Sequence, residues 1–402
     1  MKRMLFMLPS LGIGGTERAL LSLLWEMDRS RADITVLLMK KEGAFLKQLP
    51  PDVRVMALEA PDELTSMLDQ PPRETSVRLW REGRRREAVR FVRGWMQSRS
   101  GRTNAPLLSQ MASGIPQQKE TYDIAVAFAG PFDFISYYVA ERISAERKVQ
   151  WIHFDITRIG FHAPAMLPVY RKFDHVFAVS SRAASLFRAA MPELADRTET
   201  VYNVLSPARL MLEAQMAARP PFDPSLLHVV SVGRLCWEKG QDELLRAAAL
   251  VREEAAGWHL HLIGDGPMRP KLEALADRLD LSGAVTFHGT IENPYAFIQA
   301  CDLYVQPSRH EGYCLTLAEA RCFNRPIVTT NFTGAEEQIA HQQTGIVTEE
   351  DAPSLAAGML ELLQDPEKRH AFSSALEQEE PDTSTEALKL LRIPPRAKEE
   401  SL

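Results

Sequence analysis

The chain has 402 residues, of which 45% are apolar and 25% are charged, and its formal net charge at pH 7 is −6. This composition is that of an ordinary globular protein, and the length leaves room for two α/β domains, each with its own core. The acidic balance excludes a general nucleic-acid binder, and no apolar run approaches the length of a membrane-spanning helix.

The four cysteines give no sign of a metal or disulfide framework. Cys236, Cys301, Cys314 and Cys322 contain no C-x-x-C pair, which a zinc site or a redox motif would require. The apolar stretch at residues 1–10 is too short, and too soon followed by glycine and glutamate, to be a secretory signal. We therefore expect a reduced, cytoplasmic setting.

The first predicted element is an apolar strand at residues 3–8, which runs into S-L-G-I-G-G-T-E-R and a helix. A strand, a glycine-rich turn and a helix open a nucleotide-binding βαβ unit. The glycines do not fit G-x-G-x-x-G, and no acid ends the second strand at residues 34–39, which disfavours a dinucleotide. Either another anionic group binds at Gly14 and Gly15, or these glycines only let the strand and the helix pack closely.

An Arg-rich segment then interrupts the alternation of strands and helices. Residues 71–120 hold eleven Lys or Arg and four Asp or Glu, a balance of +7 in an acidic chain. Val89, Val92, Trp95 and Met96 recur there at helical spacing, with the arginines mostly elsewhere on the helix. The pattern predicts either a helix with a solvated charged face or an amphipathic helix on an anionic membrane surface.

Two later loops follow predicted strands at the edge where parallel sheets bind ligands. His153 follows the strand at residues 148–152 in Q-W-I-H-F-D, and this position makes it more informative than a core histidine. A loose, Pro-rich stretch at residues 206–224 marks a domain boundary. Beyond it, in G-R-L-C-W-E-K-G, Arg234 and Lys239 project from a strand-to-helix loop. Two cations there suit a diphosphate, although as a surface pair they would mean little.

The most informative pattern lies at residues 302–328. It predicts a strand at residues 303–306, a polar loop, a helix from about Cys314 and another strand. Glu311 precedes the helix and Glu319 lies within it, so a phosphate at the helix N-terminus would have a carboxylate on either side. From spacing alone, a solvated amphipathic helix explains the pair equally well.

The sequence P-S-R-H-E-G-Y-C-L-T-L-A-E-A, followed by N-R-P-I-V-T-T, resembles the donor-site signature of retaining glycosyltransferase family 4. The resemblance covers nearly the whole chain, strongly at residues 229–347 and weakly at residues 61–119. It implies that Glu311 contacts the donor sugar and Glu319 the ribose of the nucleotide. The family's usual glycine is replaced by Cys314, which raises the question of backbone freedom in this loop.

The resemblance also implies roles for residues outside this stretch. G-R-L-C-W-E-K-G resembles the family's diphosphate motif and assigns Arg234 and Lys239 to catalysis beside Glu311. Gly14 and Gly15 match a G-G pair where the donor diphosphate and the acceptor meet, and a histidine at the position of His153 touches the donor sugar or the acceptor. The other candidates are Asn203, which remains where relatives have P-N-G, and the donor-binding Gly312, Tyr313, Cys314, Leu315, Thr316, Gly233, Gly264 and Gly289.

The fold that the resemblance implies is α/β, with two Rossmann-like domains facing across a cleft in the GT-B arrangement. We expect an N-terminal acceptor-side domain at residues 1–206, with the Arg-rich insertion at 61–119, and a donor domain at 207–383. Residues 384–402 form a tail. Relatives usually send a last helix back to the first domain, and only residues 385–391 of the tail have a helical pattern.

The implied reaction moves a hexose or N-acetylhexosamine from a nucleotide diphosphate, preferably UDP, to a hydroxyl of a lipid-linked or polysaccharide acceptor in cell-surface glycan synthesis, with retained configuration. Without a D-x-D motif we expect no metal, and no cofactor beyond the nucleotide-sugar co-substrate. The membrane interpretation would add a peripheral location on the inner face of the cell membrane. A sugar-nucleotide 2-epimerase and a non-catalytic sugar-nucleotide-binding subunit stay open as alternatives, whereas a nicotinamide-dependent oxidoreductase would need a better glycine fingerprint.

Overall fold

The structure is a computed structural model that describes residues 1–58, 72–99, 105–112, 115–116, 118–131, 133–158, 160–379 and 381–394. Parts of the predicted insertion, residues 61–71, 100–104, 113–114 and 117, and the end of the tail lie outside the described residues. The chain divides into two compact units. The first contains Met1–Val179, Ala183–Val201 and the chain from Ala387 onward, and the second contains Ser180–Arg182 and Tyr202–Glu386.

The first unit is built on a parallel sheet with the strand order β3-β2-β1-β4-β5-β6-β7. Its strands are β1 (Lys2–Leu8), β2 (Ala32–Leu38), β3 (Arg54–Ala57), β4 (Thr121–Gly130), β5 (Ser144–Ile152), β6 (His175–Ala178) and β7 (Thr198–Thr200). Its helices up to this point are α1 (Gly15–Glu26), α2 (Pro72–Arg81), α3 (Arg85–Arg99), α4 (Ala105–Ala112), α5 (Asp133–Arg142), α6 (Ala163–Tyr170) and α7 (Ser181–Ala190).

The second unit repeats this plan with the order β10-β9-β8-β11-β12-β13, again all parallel. Its strands are β8 (Leu227–Val232), β9 (Trp258–Ile263), β10 (Val285–Gly289), β11 (Leu303–Gln306), β12 (Ile327–Thr330) and β13 (Ile346–Thr348). The helices that follow are α8 (Pro207–Met216), α9 (Gln241–Glu254), α10 (Arg269–Arg278), α11 (Tyr295–Ala300), α12 (Leu315–Cys322), α13 (Ala352–Gln364), α14 (Pro366–Gln378) and α15 (Ala387–Arg392).

Both sheets have the order of the doubly wound fold, in which the third, second and first strands are followed across the sheet by the fourth. The central strands are almost wholly buried: residues 4–8 of β1 expose at most 1% of their surface. Helices on both faces of a parallel sheet explain why such strands are continuous apolar runs and not alternating ones. The order reverses next to β1 and next to β8, and ligands bind at such switch points beyond the carboxyl ends of the strands.

The structure corrects the predicted elements at several places. The sequence pattern at residues 334–340 predicts a helix, but this segment forms turns, and Gly334 has a left-handed φ of +85°. The pair Asn293 and Pro294 predicts the N-cap and the first residue of a helix, but α11 begins one residue later, with Pro294 as its N-cap, and the side chain of Asn293 accepts from Tyr295 N at 3.2 Å. The pattern also missed α2, α4, α6 and α14.

Helix α15 is part of the first unit, although the chain reaches it only after completing the second. Lys2 Nζ in β1 donates to Leu391 O at 2.8 Å and to Ile393 O at 2.5 Å. Lys389 Nζ donates to Thr200 O in β7 at 2.7 Å. These contacts hold α15 and the residues just after it against β1 and β7 of the first unit. No helix among the described residues is both long enough and apolar enough to cross a membrane.

Three histidines form a hydrogen-bonded row across β8, β9 and β10. The ring nitrogens of His228 and His261 are 2.9 Å apart, as are those of His261 and His288, and His228 Nε2 is 2.8 Å from Asp223 O. A carbonyl only accepts, so His228 Nε2 carries the hydrogen and its Nδ1 must accept from His261 Nε2. The same reasoning gives His288 a hydrogen on Nε2, and all three neutral rings share one tautomer.

This row should make the second unit sensitive to acid. Burial, reinforced by the neighbouring histidines, lowers the pKa of His261 from 6.5 to about 3, so the unfolded chain binds the extra proton first as the pH falls. The free energy of unfolding should therefore decrease as the pH drops below about 6.5. We predict that His261→Gln, which can still donate and accept, flattens this dependence in urea unfolding between about pH 8 and about pH 5.

The control for this prediction is His370→Gln, a change of the same kind at an exposed position of α14. It should leave the pH dependence of unfolding as it is in the unchanged protein. If His261→Gln and the unchanged protein lose stability in parallel on acidification, the row of histidines does not cause the acid sensitivity.

Candidate active site

Two loops of the second unit are fastened together beyond the carboxyl ends of β8 and β11. Glu238 O, in the 3-10 turn Trp237–Lys239, accepts from Arg309 N at 2.8 Å. The next residue but one, Gly240, has a φ of +67°, and a Cβ there would lie 1.9 Å from Pro307 O. Only glycine permits both this conformation and this approach. The loops after the two neighbouring strands are thus one rigid assembly.

An ion pair between Lys239 Nζ and Glu311 Oε1 lies within this assembly. Ser308 Oγ donates to the same carboxylate oxygen at 2.8 Å. Burial is the largest single effect and would lower the pKa of Lys239, but the charge of Glu311 and its hydrogen bond, with contributions from Cys314 and Cys236, together raise that pKa above its ordinary value. The lysine therefore remains a cation in a mostly buried position, where an electrostatic interaction is stronger than in water.

Buried polar residues that the sequence analysis missed form a chain of hydrogen bonds that ends on Glu311. Gln306 Nε2 donates to Ser308 Oγ at 2.8 Å, and Gln306 Oε1 accepts from Tyr304 OH at 2.8 Å and from Thr316 Oγ1 at 3.0 Å. With both hydroxyls on its oxygen, the amide has one orientation, and the chain of donors ends on Glu311. The signal for this row was present: polar residues at 304, 306 and 308 alternate as one strand face does.

Cys314, which replaces the family's glycine, has the backbone conformation that a glycine would adopt. It adopts φ +65° and ψ +87° immediately before α12, the left-handed region in which glycine is at ease. The loop thus keeps a glycine-like backbone without the glycine, at a cost of about 1 kcal/mol for a side chain in this region. Helix α12 starts at Leu315, and its first backbone N–H groups have no partner within the helix.

Glu319 lies one turn further along α12, on a buried side of the helix. Its carboxylate Oε1 accepts from Tyr295 OH of α11 at 2.7 Å, and both side chains are buried. Tyr295 was not predicted from the sequence, since its partner is 24 residues away and the two meet only in the folded unit. The start of α12 therefore has Glu311 on its loop side and Glu319 within the helix.

Glycines end the three strands β8, β9 and β10. Gly264 N donates to Gly289 O at 2.8 Å, and a Cβ on Gly264 would lie 2.0 Å from Gly233 O. No side chain therefore covers the backbone at these three positions, and a ligand can approach the backbone closely there. Arg234 follows Gly233 and is exposed. Of the remaining candidates in this unit, Tyr313 and Asn203 are buried, and Gly312 follows Glu311 in the fastened loop.

The other candidates lie in the first unit. Gly14 is the N-cap of α1 and Gly15 its first residue. The turn before them is braced, because Leu11 N donates to Glu42 O at 2.9 Å. His153 follows β5 and packs against the ring of Phe128, with centroids 4.7 Å apart.

The ring of His153 is neutral and has an unused nitrogen. Burial lowers its pKa to about 3, with a smaller opposing effect from a hydrogen bond to the backbone of Phe128. Nε2 is buried and has no hydrogen-bond partner among the described residues. A buried nitrogen of this kind costs free energy unless a ligand or water pairs with it. Among these same residues, no group of three or more His, Cys, Asp or Glu could hold a metal ion.

The comparisons with known proteins agree with this geometry. Residues 216–379 match the family described as glycosyl transferases group 1. The chain is 33% identical over 148 residues to the alpha-D-kanosaminyltransferase of Streptomyces kanamyceticus. This alignment covers 36% of this chain and 38% of that protein. It is also 33% identical over 147 residues to the lipopolysaccharide core biosynthesis glycosyltransferase LpsD of Rhizobium meliloti, covering 36% and 42%.

The chain thus spans about two fifths of the length of these curated relatives. Among solved structures it is similar over its whole length to Anabaena Alr3699/HepE in complex with UDP and glucose, with a TM-score of 0.69 and 19% identity, covering 97% of this chain and 98% of that one. The α/β fold with two parallel sheets is therefore that of the GT-B glycosyltransferases, and the predicted fold class is confirmed. Within it, the match to the group 1 glycosyltransferases is confined to residues 216–379.

The left-handed position of Cys314 yields a stability test. Cys314→Gly releases strain of about 1 kcal/mol but adds freedom to the unfolded chain, so its unfolding free energy should change little. Cys314→Val places a β-branched side chain where it is least tolerated and should lose about 1–3 kcal/mol in urea unfolding. Cys322→Val, inside α12, is the control and should lose less. Equal losses for the two valine variants would show that the backbone at Cys314 is unstrained.

Proposed function

We propose that the protein is a retaining glycosyltransferase of family 4 that moves a hexose or N-acetylhexosamine from a nucleotide diphosphate, preferably UDP, to a hydroxyl of a lipid-linked or polysaccharide acceptor in cell-surface glycan synthesis. The observation that carries the proposal is the pair formed by Lys239 and Glu311 at the start of α12, with Glu319 inside the same helix. Support for the donor comes from HepE, whose structure holds UDP and glucose.

The leaving diphosphate needs positive charge around it. Lys239 is a mostly buried cation, Arg234 precedes it on the same loop, and the N-terminus of α12 adds backbone N–H groups and partial positive charge. Such groups are fixed before the reaction starts, so they need not reorganise as charge builds up on the phosphate. In this proposal they replace a divalent metal, and the reaction needs none.

Glu311 then serves the sugar. When Lys239 turns to the phosphate, the carboxylate of Glu311 is still held by Ser308 and faces the donor hexose. There it accepts hydrogen bonds from the sugar hydroxyls and stabilises positive charge at the anomeric carbon. Retaining glycosidases place a second carboxylate about 5 Å away as a nucleophile. Glu319 accepts a hydrogen bond from Tyr295, and the resemblance assigns it to the ribose. No second carboxylate is therefore assigned to the role of nucleophile.

Retention therefore proceeds by attack from the face that the diphosphate leaves. The bond between the anomeric carbon and the phosphate oxygen breaks, and the acceptor oxygen forms its bond on the same face. The hydroxyl proton of the acceptor passes to the departing phosphate oxygen, which balances the step. In the first unit, His153 offers Nε2 to a hydroxyl of the sugar or the acceptor, and Gly14 and Gly15 let a ligand approach the start of α1.

Substitutions of Glu311 and Glu319 should have different effects, the first on turnover and the second on nucleotide binding. We first expect a panel of nucleotide sugars to raise the melting temperature of the protein, most strongly for the cognate donor. Glu311→Gln should then lower kcat by about 100-fold or more with little change in nucleotide affinity. Glu319→Ala should mainly weaken nucleotide binding. Transfer is measured with the donor that gives the largest shift.

Excess EDTA provides the control for the metal-free mechanism. Transfer should persist in EDTA, and Lys239→Ala should lose turnover more than donor affinity, because its contact strengthens as the phosphate leaves. Magnesium that restores an activity abolished by EDTA would overturn the assignment of Lys239 and Arg234 to the leaving group. A Glu311→Gln enzyme with near-normal turnover would remove Glu311 from the site.

We further propose that the first unit rests on an anionic membrane surface through α2 and α3. The sequence analysis expected Val89, Val92, Trp95 and Met96 to form one apolar face. The face of α3 that packs into the core is instead the one with Ala88 and Phe91, which belong to the same buried apolar cluster as Leu79 of α2. Val89 is 58% exposed and Met96 62%.

Helix α2 adds to this exposed apolar surface. Val77 is 45% exposed and Trp80 54%, and the guanidinium of Arg85 lies 5.6 Å from the Trp80 ring. Residues 72–99 contain nine arginines and three glutamates. The exposed arginines are Arg73, Arg81, Arg85, Arg86, Arg90 and Arg93. An apolar stripe with a basic surround matches a bilayer that carries anionic headgroups.

Removing charge from this surface should weaken vesicle binding. The variant with Arg81→Gln, Arg85→Gln and Arg86→Gln loses about 1 kcal/mol per arginine, or about 100-fold in partitioning onto anionic vesicles. Trp80→Ala should weaken it further through lost apolar contact. Binding should fall with salt, because the attraction is screened.

Sedimentation with phosphatidylglycerol vesicles and with neutral phosphatidylcholine vesicles measures this partitioning. Trp237→Ala is the matched control for Trp80→Ala, since Trp237 lies in the second unit and is 53% exposed. Equal sedimentation with both kinds of vesicle would favour a solvated helix surface over the membrane proposal.

A further inference from the structure

Trp237 is exposed and yet firmly held. It begins the 3-10 turn that ends at Lys239. The guanidinium of Arg309 lies 5.2 Å from its ring centroid, and the ring of His310 lies against it at 5.2 Å and an interplanar angle of 60°. Contacts of this kind orient an aromatic ring through its negative face and positive edge. More than half of the side chain nevertheless remains open to solvent.

Arg309 is itself an anchored support. Its Nη1 and Nη2 donate to the two carboxylate oxygens of Asp242 at 2.7 and 2.9 Å, a bidentate pair at the start of α9. Nη1 also donates to Trp237 O at 2.8 Å. The hydrogen bond to Asp242 raises the pKa of Arg309. The guanidinium therefore ties the backbone of the turn, the indole ring and α9 into one fixed unit.

The same turn presents two side chains in opposite environments. Lys239 is directed to the partly buried Glu311, whereas Trp237 is open to solvent and touches His310, the residue before Glu311. Glu319 and Cys314, which are assigned to the donor, are buried. A ligand on the Trp237 ring would thus lie outside the donor residues and next to the proposed reacting group.

We propose that Trp237 is a stacking platform for a pyranose ring of the acceptor glycan. A pyranose has an apolar face of C–H groups, which packs on the negative face of an aromatic ring while its hydroxyls stay in water. A ring that is already fixed loses little conformational entropy when the sugar binds. This inference rests on the proposed function for the acceptor's role, but sugar binding at Trp237 is testable without catalysis.

Saturation-transfer NMR with methyl α-D-glucopyranoside and its 2-acetamido analogue as probes, in the presence of UDP, tests the platform directly. The unchanged protein should transfer saturation to the ring C–H protons of at least one probe. Trp237→Phe should retain the signal and Trp237→Ala should lose most of it. Trp80→Ala removes an equally exposed tryptophan from the first unit and should leave the signal unchanged. In transfer assays, Trp237→Ala should raise the acceptor KM by about tenfold, the loss expected for one aromatic stacking contact, with the donor KM unchanged.

Several outcomes would overturn the platform: no saturation transfer from the unchanged protein, equal transfer from Trp237→Ala, or a rise in the donor KM in place of the acceptor KM. The melting-temperature shift caused by UDP separates this result from the proposed function. If UDP stabilises the unchanged protein and Trp237→Ala equally while the sugar signal is indifferent to Trp237, only the platform fails. If nucleotides do not stabilise the protein but the Trp237-dependent signal persists, the sugar site stands and the transferase proposal fails.

Discussion

The ion pair of Lys239 and Glu311 is the constraint on which the second unit's site depends. It joins the loop after β8 to the loop after β11, two strands that neighbour each other in the sheet but are 70 residues apart in the chain. The close contact at Gly240 and the chain of donors through Gln306 and Ser308 exist because these loops meet. Under the proposed function, the diphosphate of the donor would compete with Glu311 for Lys239, and the carboxylate released in this way would be free to face the sugar.

Local patterns predicted what local sequence determines. Strand β11, helix α12 and the carboxylates around its start were predicted because strand, loop and helix follow one another directly. The helix expected at residues 334–340 failed because Gly334 adopts a left-handed conformation that apolar spacing does not reveal. Tyr295 and Gln306 were missed for another reason: their importance lies in partners brought near by tertiary packing, and one sequence carries little sign of such pairings.

The Arg-rich segment shows the same limit in a different form. Its helical character was predictable from spacing, and α3 is indeed helical. The choice of the buried face was not, because that choice depends on Leu79 in a helix that the pattern missed and on contacts of Phe91 within the core. The side of α3 with Ala88 and Phe91 is buried in the core, and Val89 and Met96 remain exposed among the arginines.

The return of α15 to the first unit has a consequence for how the protein is made. The second unit is, in chain connectivity, an insertion within the first, because α15 of the first unit is translated only after the second unit. Domains usually fold as they leave the ribosome, the N-terminal one first. Here β1 emerges early, but the carbonyls that Lys2 binds appear only after some 390 residues of synthesis. The nascent first unit must wait, incomplete, until the second has been synthesised.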